Sequence, residues 1–250
     1  MKHCTFITSF FQGGKYIKRF AYNAHKIAKH FDNNNKFTYE FLIVANDISN
    51  EDQQQFNLLL EGLHFKLVNT AIETVYASWN RAINHSPNTD LFVVWNMDDL
   101  RYTSGTHEQF QALSKEDGPA IVLSEYHQFE FSLMPFKIRF YRRVPPINSP
   151  TPFLSFNREA LILCENFEES FMISGDREWL YRAIEKNCKI KVIKKSAGIL
   201  VNYGIGLSTS DSPERICENL LIQEMYPNQD QHPYFPYYKK LRDKVLKAIK

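Results

Sequence analysis

Hydrophobic positions along the chain switch repeatedly between short continuous runs and helical spacing. Cys4–Phe11 is an apolar run; after Gln12-Gly13-Gly14, the stretch Lys15–Phe31 places Ile17, Phe20, Ala24 and Ile27 on one helical face. Tyr39–Ala45 is a second apolar run. Ser49-Asn50-Glu51-Asp52 then reads as a cap with acids in the first turn, opening a helix through about Glu61. Phe65–Val68 is a short third strand, and Ile72, Tyr76, Trp79 and Ile83 stripe a helix from Ile72 to His85. Leu91–Trp95 is too short for a helix and is bounded by turn residues, which predicts a buried strand. Strands alternating with helices at this spacing imply right-handed crossovers and a mainly parallel sheet.

The second half continues the pattern with interruptions. Thr103–Leu113 predicts a helix and Ala120–Ser124 a strand. Glu125–Pro152 is aromatic, basic and carries five prolines, so it reads as a long loop or irregular hairpin. A structural lid and a substrate-contacting segment are equal readings of it. Phe153–Phe156 reads as a strand feeding a helix over Asn157–Cys164; Ser174-Gly175-Asp176 opens a helix to Asn187, and Lys189–Ile193 is a further strand. Ser196–Ser212 is rich in Gly and Ser, which suits a flexible segment over a site. Pro213–Met225 predicts a helix with Pro in its first turn. Tyr226–Tyr238 is a link, and Lys239–Lys250 a basic amphipathic helix that reads either as solvated or as touching a membrane surface. No internal repeat and no second domain is visible.

Composition narrows the function classes. With 250 residues, 44% of them hydrophobic, the chain can bury the core of one α/β domain. Thirty basic residues against 28 acidic ones remove the bulk electrostatic case for a nucleic-acid partner. Basic residues do gather locally in Lys137–Arg143, Lys186–Lys195 and Lys239–Lys250. Cys4, Cys164, Cys188 and Cys217 show no C-x-x-C spacing, so reduced thiols are expected rather than a zinc site or a disulfide framework. Thr5–Phe11 is too short for a signal h-region and no window has the length of a membrane span, which predicts a soluble, cytoplasmic protein. Gly13-Gly14-Lys15 lacks the full phosphate-loop spacing, and no G-x-G-x-x-G, G-x-S-x-G or H-E-x-x-H occurs.

The residues that carry chemistry sit where apolar strands end. Phe11-Gln12, Asn46-Asp47 and Asn96–Asp99 line one rim, and in open α/β sheets ligands collect there. Asp98 and Asp99 suit a hard divalent cation, because Mg²⁺ or Mn²⁺ needs only one or two protein carboxylates plus substrate phosphates. The same residue types suit an Asx-type turn. Asp176 and Glu178, in the first turn of a helix, are likewise either favourable partners of the helix dipole or acids for chemistry.

In order, these blocks resemble the family 2 inverting glycosyltransferases with a GT-A fold. The first strand runs into Phe11-Gln12; Ile43–Ser49 stands where the family shows V-V-D-D-G-S; Leu91–Asp99 stands where it shows a strand ending in D-x-D-D; and Phe167–Trp179 stands where it shows F-D-E-x-F followed by an acid at a helix start. The resemblance covers roughly residues 4 to 195. It implies a single α/β domain with a mainly parallel central sheet flanked by helices: a catalytic domain over 1–212, its nucleotide-binding half about 1–100 and its acceptor half about 101–212, then a helical extension over 213–250.

It also implies a nucleotide-diphosphate sugar donor, with a UDP-sugar favoured, and a saccharide or lipid-linked saccharide acceptor, as in polysaccharide biosynthesis. Phe11, Asn46 and Asp47 would hold the base and ribose; Asp98 would hold Mg²⁺ or Mn²⁺ on the diphosphate, with Asn96 and Asp99 beside it; Arg81 would lie near the diphosphate, and Asp176 would be the general base. Three departures stand out: Asn46 and Asn96 replace family acids, and Gly175 stands where an acid often precedes the base. For Arg81 a helix-surface role is an equal reading, and Glu178 is a reserve for Asp176. The two Asn substitutions motivate an alternative, a catalytically degenerate GT-A-fold nucleotide- or sugar-binding protein. A nucleotidyltransferase of related fold would need a Gly-rich signature loop, which Gln12–Lys15 matches poorly.

Overall fold

Fourteen percent aromatic content and strands apolar on both sides are what a sheet covered on both faces requires. A computed structural model describes residues 1–34, 36–133, 136–143, 153–202 and 212–227. The element order is β1 (Lys2–Phe11), α1 (Gly14–Asn34), β2 (Phe37–Asn46), α2 (Asn50–Leu59), β3 (Phe65–Thr70), α3 (Val75–Asn84), β4 (Leu91–Val94), β5 (Leu100–Arg101) and α4 (Thr103–Ser114). There follow β6 (Ala120–Ser124), β7 (Tyr126–Leu133), β8 (Phe136–Arg143), β9 (Ser155–Asn157), α5 (Arg158–Cys164), α6 (Gly175–Glu185), β10 (Lys189–Ile193), β11 (Gly198–Asn202) and α7 (Pro213–Met225).

Seven strands form the main sheet in the order β10-β6-β9-β4-β1-β2-β3. All pairs are parallel except those of β9, which is antiparallel to both β4 and β6. Side-chain alternation splits the core into two layers. Phe6, Phe41, Val93 and Trp95 pack on one face with α1 and α4 residues such as Phe20, Phe31 and Phe110. Ile7, Leu42, Val44, Phe92 and Val94 pack on the other with Trp79, Phe167 and Trp179.

Register brings the ends of β1, β2 and β3 level, while β4 stops at Val94, opposite Ile7 and four residues before the end of β1. Phe11 pairs with Asn46 and Asn46 with Thr70, while Trp95, just past β4, donates its backbone N–H to Ile7 O at 2.9 Å. The three ends therefore share one rim, as the pattern of the chain predicts.

Three segments refine the sequence reading. Thr74 is extended (φ −68°, ψ 159°) and its side chain accepts from Ala77 N, so α3 starts at Val75 and Ile72 is 63% exposed. Part of the Glu125–Pro152 segment is regular: β7 and β8 form an antiparallel hairpin, and residues 144–152 lie outside the described residues. The hairpin belongs to a second sheet, β5-β11-β7-β8, in which β11 is parallel to β7 and antiparallel to β5. Gly198–Asn202 is thus a strand rather than a flexible stretch, while 203–211 and the tail from 228 lie outside the described residues. Among the described residues, no helix is long and apolar enough to cross a membrane. Cys4, Cys164, Cys188 and Cys217 are all free thiols, and Cys217 is exposed.

The second sheet approaches α4 so closely that Gly105 has no room for a side chain. A Cβ there would collide with the Ser196 carbonyl oxygen and lie 2.6 Å from Ala197 Cα, both backbone atoms. Helix propensity alone favours Ala over Gly by about 1 kcal/mol; here overpacking against backbone outweighs it. We expect Gly105→Ala to destabilise the protein by about 1–3 kcal/mol in chemical denaturation, where a gain in stability would contradict the close approach.

Candidate functional site

The β4 end is built from buried charge. Asp99 is 1% and Arg101 2% exposed. Asn23 of α1 fixes the backbone between the sheets, its Oδ1 accepting from Arg101 N at 2.6 Å and its Nδ2 donating to Arg101 O at 2.9 Å. The Arg101 guanidinium donates to Val94 O (2.6 Å) and Gln109 Oε1 (3.1 Å) and lies over the Phe153 ring. Burial pulls it down to about 9, opposed by the Asp99 charge. Asp99 Oδ1 accepts from Val201 N at 3.3 Å, and its Oδ2 is buried with no hydrogen bond within normal reach. Burial first, and the charge of Asp98 second, push the Asp99 carboxyl well above the usual range.

Asp98 is half-buried and points into a cationic setting. Burial raises its carboxyl, while Arg19 and Lys15 of α1 oppose the rise; Arg19 Nη2 donates to the Asp98 backbone carbonyl at 2.5 Å. No group of three or more His, Cys, Asp or Glu residues that could hold a metal occurs among the described residues. The donor set nonetheless fits Mg²⁺ or Mn²⁺ completed by substrate phosphates, with the Asp98 carboxylate and the orphaned Asp99 Oδ2 as protein oxygens. Asn96 hydrogen-bonds Asp99 and closes the turn through Asp99 N to Asn96 O at 3.0 Å.

At the neighbouring strand ends the geometry is different for each residue. Phe11 is 48% exposed. Gln12 and Asp47, one after each strand, both adopt left-handed backbone (φ 47° and 48°), and Asp47 is exposed. Asn46 is buried and its amide is engaged inward: Nδ2 donates to Ser78 Oγ (2.9 Å) and Phe10 O (3.4 Å), and Oδ1 accepts from Glu73 N (2.9 Å). Arg81 is clamped by Glu73 through three contacts of 2.6–3.2 Å on an exposed face of α3. That face borders a polar cavity of about 220 Å³ lined by Asn80, Arg81, Asn84, His85 and Glu169.

Asp176 is tied to α3 by Tyr76. Tyr76, in the first turn of α3, places its hydroxyl 2.7 Å from Ile173 O and 3.2 Å from Asp176 Oδ1. Asp176 is 4% exposed, and burial pushes its carboxyl up to about 6, against hydrogen bonds from the Arg177 backbone and the Tyr76 hydroxyl. A carboxylate so tuned can take a proton near neutral pH. Gly175 is required beside it, because a Cβ would lie 2.8 Å from the Tyr76 ring and 3.1 Å from Phe171 Cβ. Glu178, two residues past Asp176, is committed elsewhere: Arg182 binds it at 2.6 Å and the Tyr226 hydroxyl donates to it at 2.6 Å. The Phe167–Glu169 block is held to α3 by Asn80, which bonds Phe167 N, Phe167 O and Glu169 Oε1.

Sequence reasoning did not single out Tyr76, Glu73 or Arg19 as site residues. Tyr76 sat in the apolar stripe of α3, and its hydroxyl was the one available signal. Lys15 was visible only as a failed phosphate-loop motif.

No family model and no curated protein matches the chain. Solved structures do match. S. aureus TarS in complex with UDP-GlcNAc superposes with a TM-score of 0.64 at 15% identity, covering 90% of this chain and 66% of TarS 1-349. Another TarS structure gives 0.62 at 14% identity, covering 92% of this chain and 43% of that one. Mannosyltransferase PcManGT from Pyrobaculum calidifontis, in complex with GDP-Man and Mn²⁺, gives 0.61 at 11% identity, covering 96% of this chain and 64% of that one. The chain spans less than two thirds of the length of each of these neighbours.

The raised carboxyl of Asp176 has a thermodynamic consequence. A group whose folded pKa (about 6) exceeds its usual value (3.8) binds protons more tightly folded than unfolded, so stability falls as pH rises between the two. Asp176→Asn should therefore be more stable than the wild type above pH 6 by up to about 3 kcal/mol, with the advantage vanishing below pH 4. Thermal unfolding of both proteins from pH 4 to 8 checks this; parallel curves would refute it. On topology and on these superpositions, the chain has the GT-A glycosyltransferase fold: a mixed α/β architecture whose mostly parallel seven-stranded sheet is flanked by helices.

Proposed function

We propose that this chain is a metal-dependent inverting glycosyltransferase, moving a sugar from a nucleotide-diphosphate sugar, with UDP-sugars favoured, to a hydroxyl of a saccharide or lipid-linked saccharide. The observation that carries this reading is the buried Asp176 carboxylate, poised near neutrality and tied by Tyr76 to the helix that starts at the strand-end rim. Asp176 is the general base that accepts the acceptor hydroxyl's proton. With one base and no neighbouring nucleophile required, a single displacement inverts the anomeric centre. Asp98, with Asp99 behind it, holds Mg²⁺ or Mn²⁺. That ion supplies Lewis-acid neutralisation of charge on the departing diphosphate. Phe11 offers an exposed ring at the end of β1 for the base, and Asp47 an exposed carboxylate for the ribose. TarS with UDP-GlcNAc and PcManGT with GDP-Man and Mn²⁺ support a nucleotide-sugar donor and a divalent metal for this fold.

Residues 1–212 form the catalytic unit in this reading, with α7 and the residues beyond it as the extension. Asn46 favours a second reading, in which the chain binds a nucleotide or sugar without turnover: its amide is spent on Phe10, Ser78 and Glu73 rather than offered to a base.

Binding and turnover separate the two. Titration with UDP, GDP, dTDP and CDP, with and without Mn²⁺, should give a metal-dependent thermal shift selective for one base, lost in Asp98→Ala. Asp176→Asn should keep that shift but lower transfer by about 10²–10⁴-fold. The wild-type kcat/KM should rise with pH and level off above about 6, as Asp176 ionises. Wild-type transfer by both variants would sink the first reading; nucleotide binding without turnover on a broad acceptor panel would establish the second.

A further inference from the structure

The turn that leads into α6 holds an anion from elsewhere in the chain. Glu218 of α7 sends its carboxylate to three consecutive backbone amides: Oε1 accepts from Met172 N (2.6 Å) and Ile173 N (3.3 Å), Oε2 from Ile173 N (3.1 Å) and Ser174 N (2.8 Å). Successive amides converging on one carboxylate form the concavity that elsewhere binds anions. Here it is filled by the protein's own side chain.

Three further contacts fasten α7 to the same place. Asn219 Oδ1 accepts from Arg177 Nη1 at 2.6 Å, Tyr226 donates to Glu178 Oε1, and Ile222 is buried in the core layer that holds Trp179 and Leu180. The local alternative is missing, since Ser174, the N-cap of α6, makes no side-chain cap hydrogen bond. Asp176 lies two residues past the last of the captured amides, and the Ile173 carbonyl, in the same peptide unit as the captured Ser174 amide, accepts from the Tyr76 hydroxyl.

We infer that Glu218 is a positioning residue for the transfer reaction: by capturing the 172–174 amides it sets where the Asp176 carboxylate stands, so that proton transfer depends on the docking of α7. The inference rests on the reading of Asp176 as general base. A misplacement on the scale of an ångström is enough to matter, since near-attack geometry carries a large share of a rate enhancement.

The test compares Glu218→Gln and Glu218→Ala with Asp176→Asn and the double variant Glu218→Gln/Asp176→Asn. Gln keeps the shape but turns an NH₂ toward one end of the amide row. Amide hydrogen exchange across 170–178 should quicken in Glu218→Gln, with exchange in β1 and β2 unchanged. The stability effects of Glu218→Gln and Asp176→Asn should be non-additive, because the two sites share the 172–177 backbone. With UDP-GlcNAc or GDP-Man as the donor probe and water or an added sugar as acceptor, kcat should fall about tenfold to a hundredfold with donor KM unchanged.

Additive stabilities, unchanged exchange, or wild-type kcat in folded Glu218→Gln would each overturn the inference. If neither donor turns over, the thermodynamic cycle decides; if Glu218→Ala does not fold, Glu218→Gln decides. Full turnover by Asp176→Asn would instead remove the general-base reading itself, whatever Glu218 does.

Discussion

The charges of Asp99 and Arg101, almost completely withdrawn from water, shape the end of β4, and the rest of the rim depends on that shape. A buried charge is costly unless its hydrogen-bonding capacity is met. Arg101 meets part of it with Val94 O, Gln109 and the face of Phe153, its Nε staying buried without a hydrogen-bond partner, while Asn23 holds its backbone on both sides. Asp99 reaches across to Val201 N of β11. These contacts join α1, α4, β4 and both sheets at one point. Asp98, half-buried on the same turn, is faced by Lys15 and Arg19 of α1, so its place at the rim rests on the buried contacts of its neighbours.

Two acids in the first turn of α6 show how environment divides labour. Glu178 is paired with Arg182 and accepts from Tyr226, so its negative charge is satisfied and its oxygens are occupied. Asp176 has a tyrosine hydroxyl and helix N–H groups but no cation in hydrogen-bond contact, and its carboxyl is raised to about 6. The same turn of helix thus holds one acid bound to a cation and one held without a cation in hydrogen-bond contact. The energetic strain at Asp176 is tolerable because the surrounding core, with Trp79, Phe167, Phe171 and Trp179 packed together, over-determines the position.

What was legible in the chain followed from local periodicity. β1, β2, β4 and β6 could be read because each is an apolar run bounded by turn residues, and the shared rim followed from parallel crossovers. β5 is two residues long and β11 opens a stretch rich in Gly and Ser, and β11 finds its partners in β5 and β7, about 70 to 100 positions earlier, which no local pattern carries. The site divides the same way. Asp98 and Asp176 stood out because acids at a strand end and at a helix start are local features. Tyr76 did not, since an aromatic at helical spacing reads as core, and in the structure it is both core and hydrogen-bond partner. Glu218 could not be read at all, because its partners are backbone amides 44 to 46 positions earlier.

The three departures from the family pattern share a physical logic. Asn46 donates to Ser78 and to the Phe10 carbonyl, which a carboxylate at that position could not do. Asn96 hydrogen-bonds Asp99, where a third acid would add to the repulsion that already raises the Asp99 carboxyl. Gly175 leaves space that the Tyr76 ring fills. Each substitution is matched by a neighbour that needs it, so none is by itself a sign of decayed chemistry. The carboxylates of Asp98 and Asp176 carry far less structural commitment than Asn46 or Glu178.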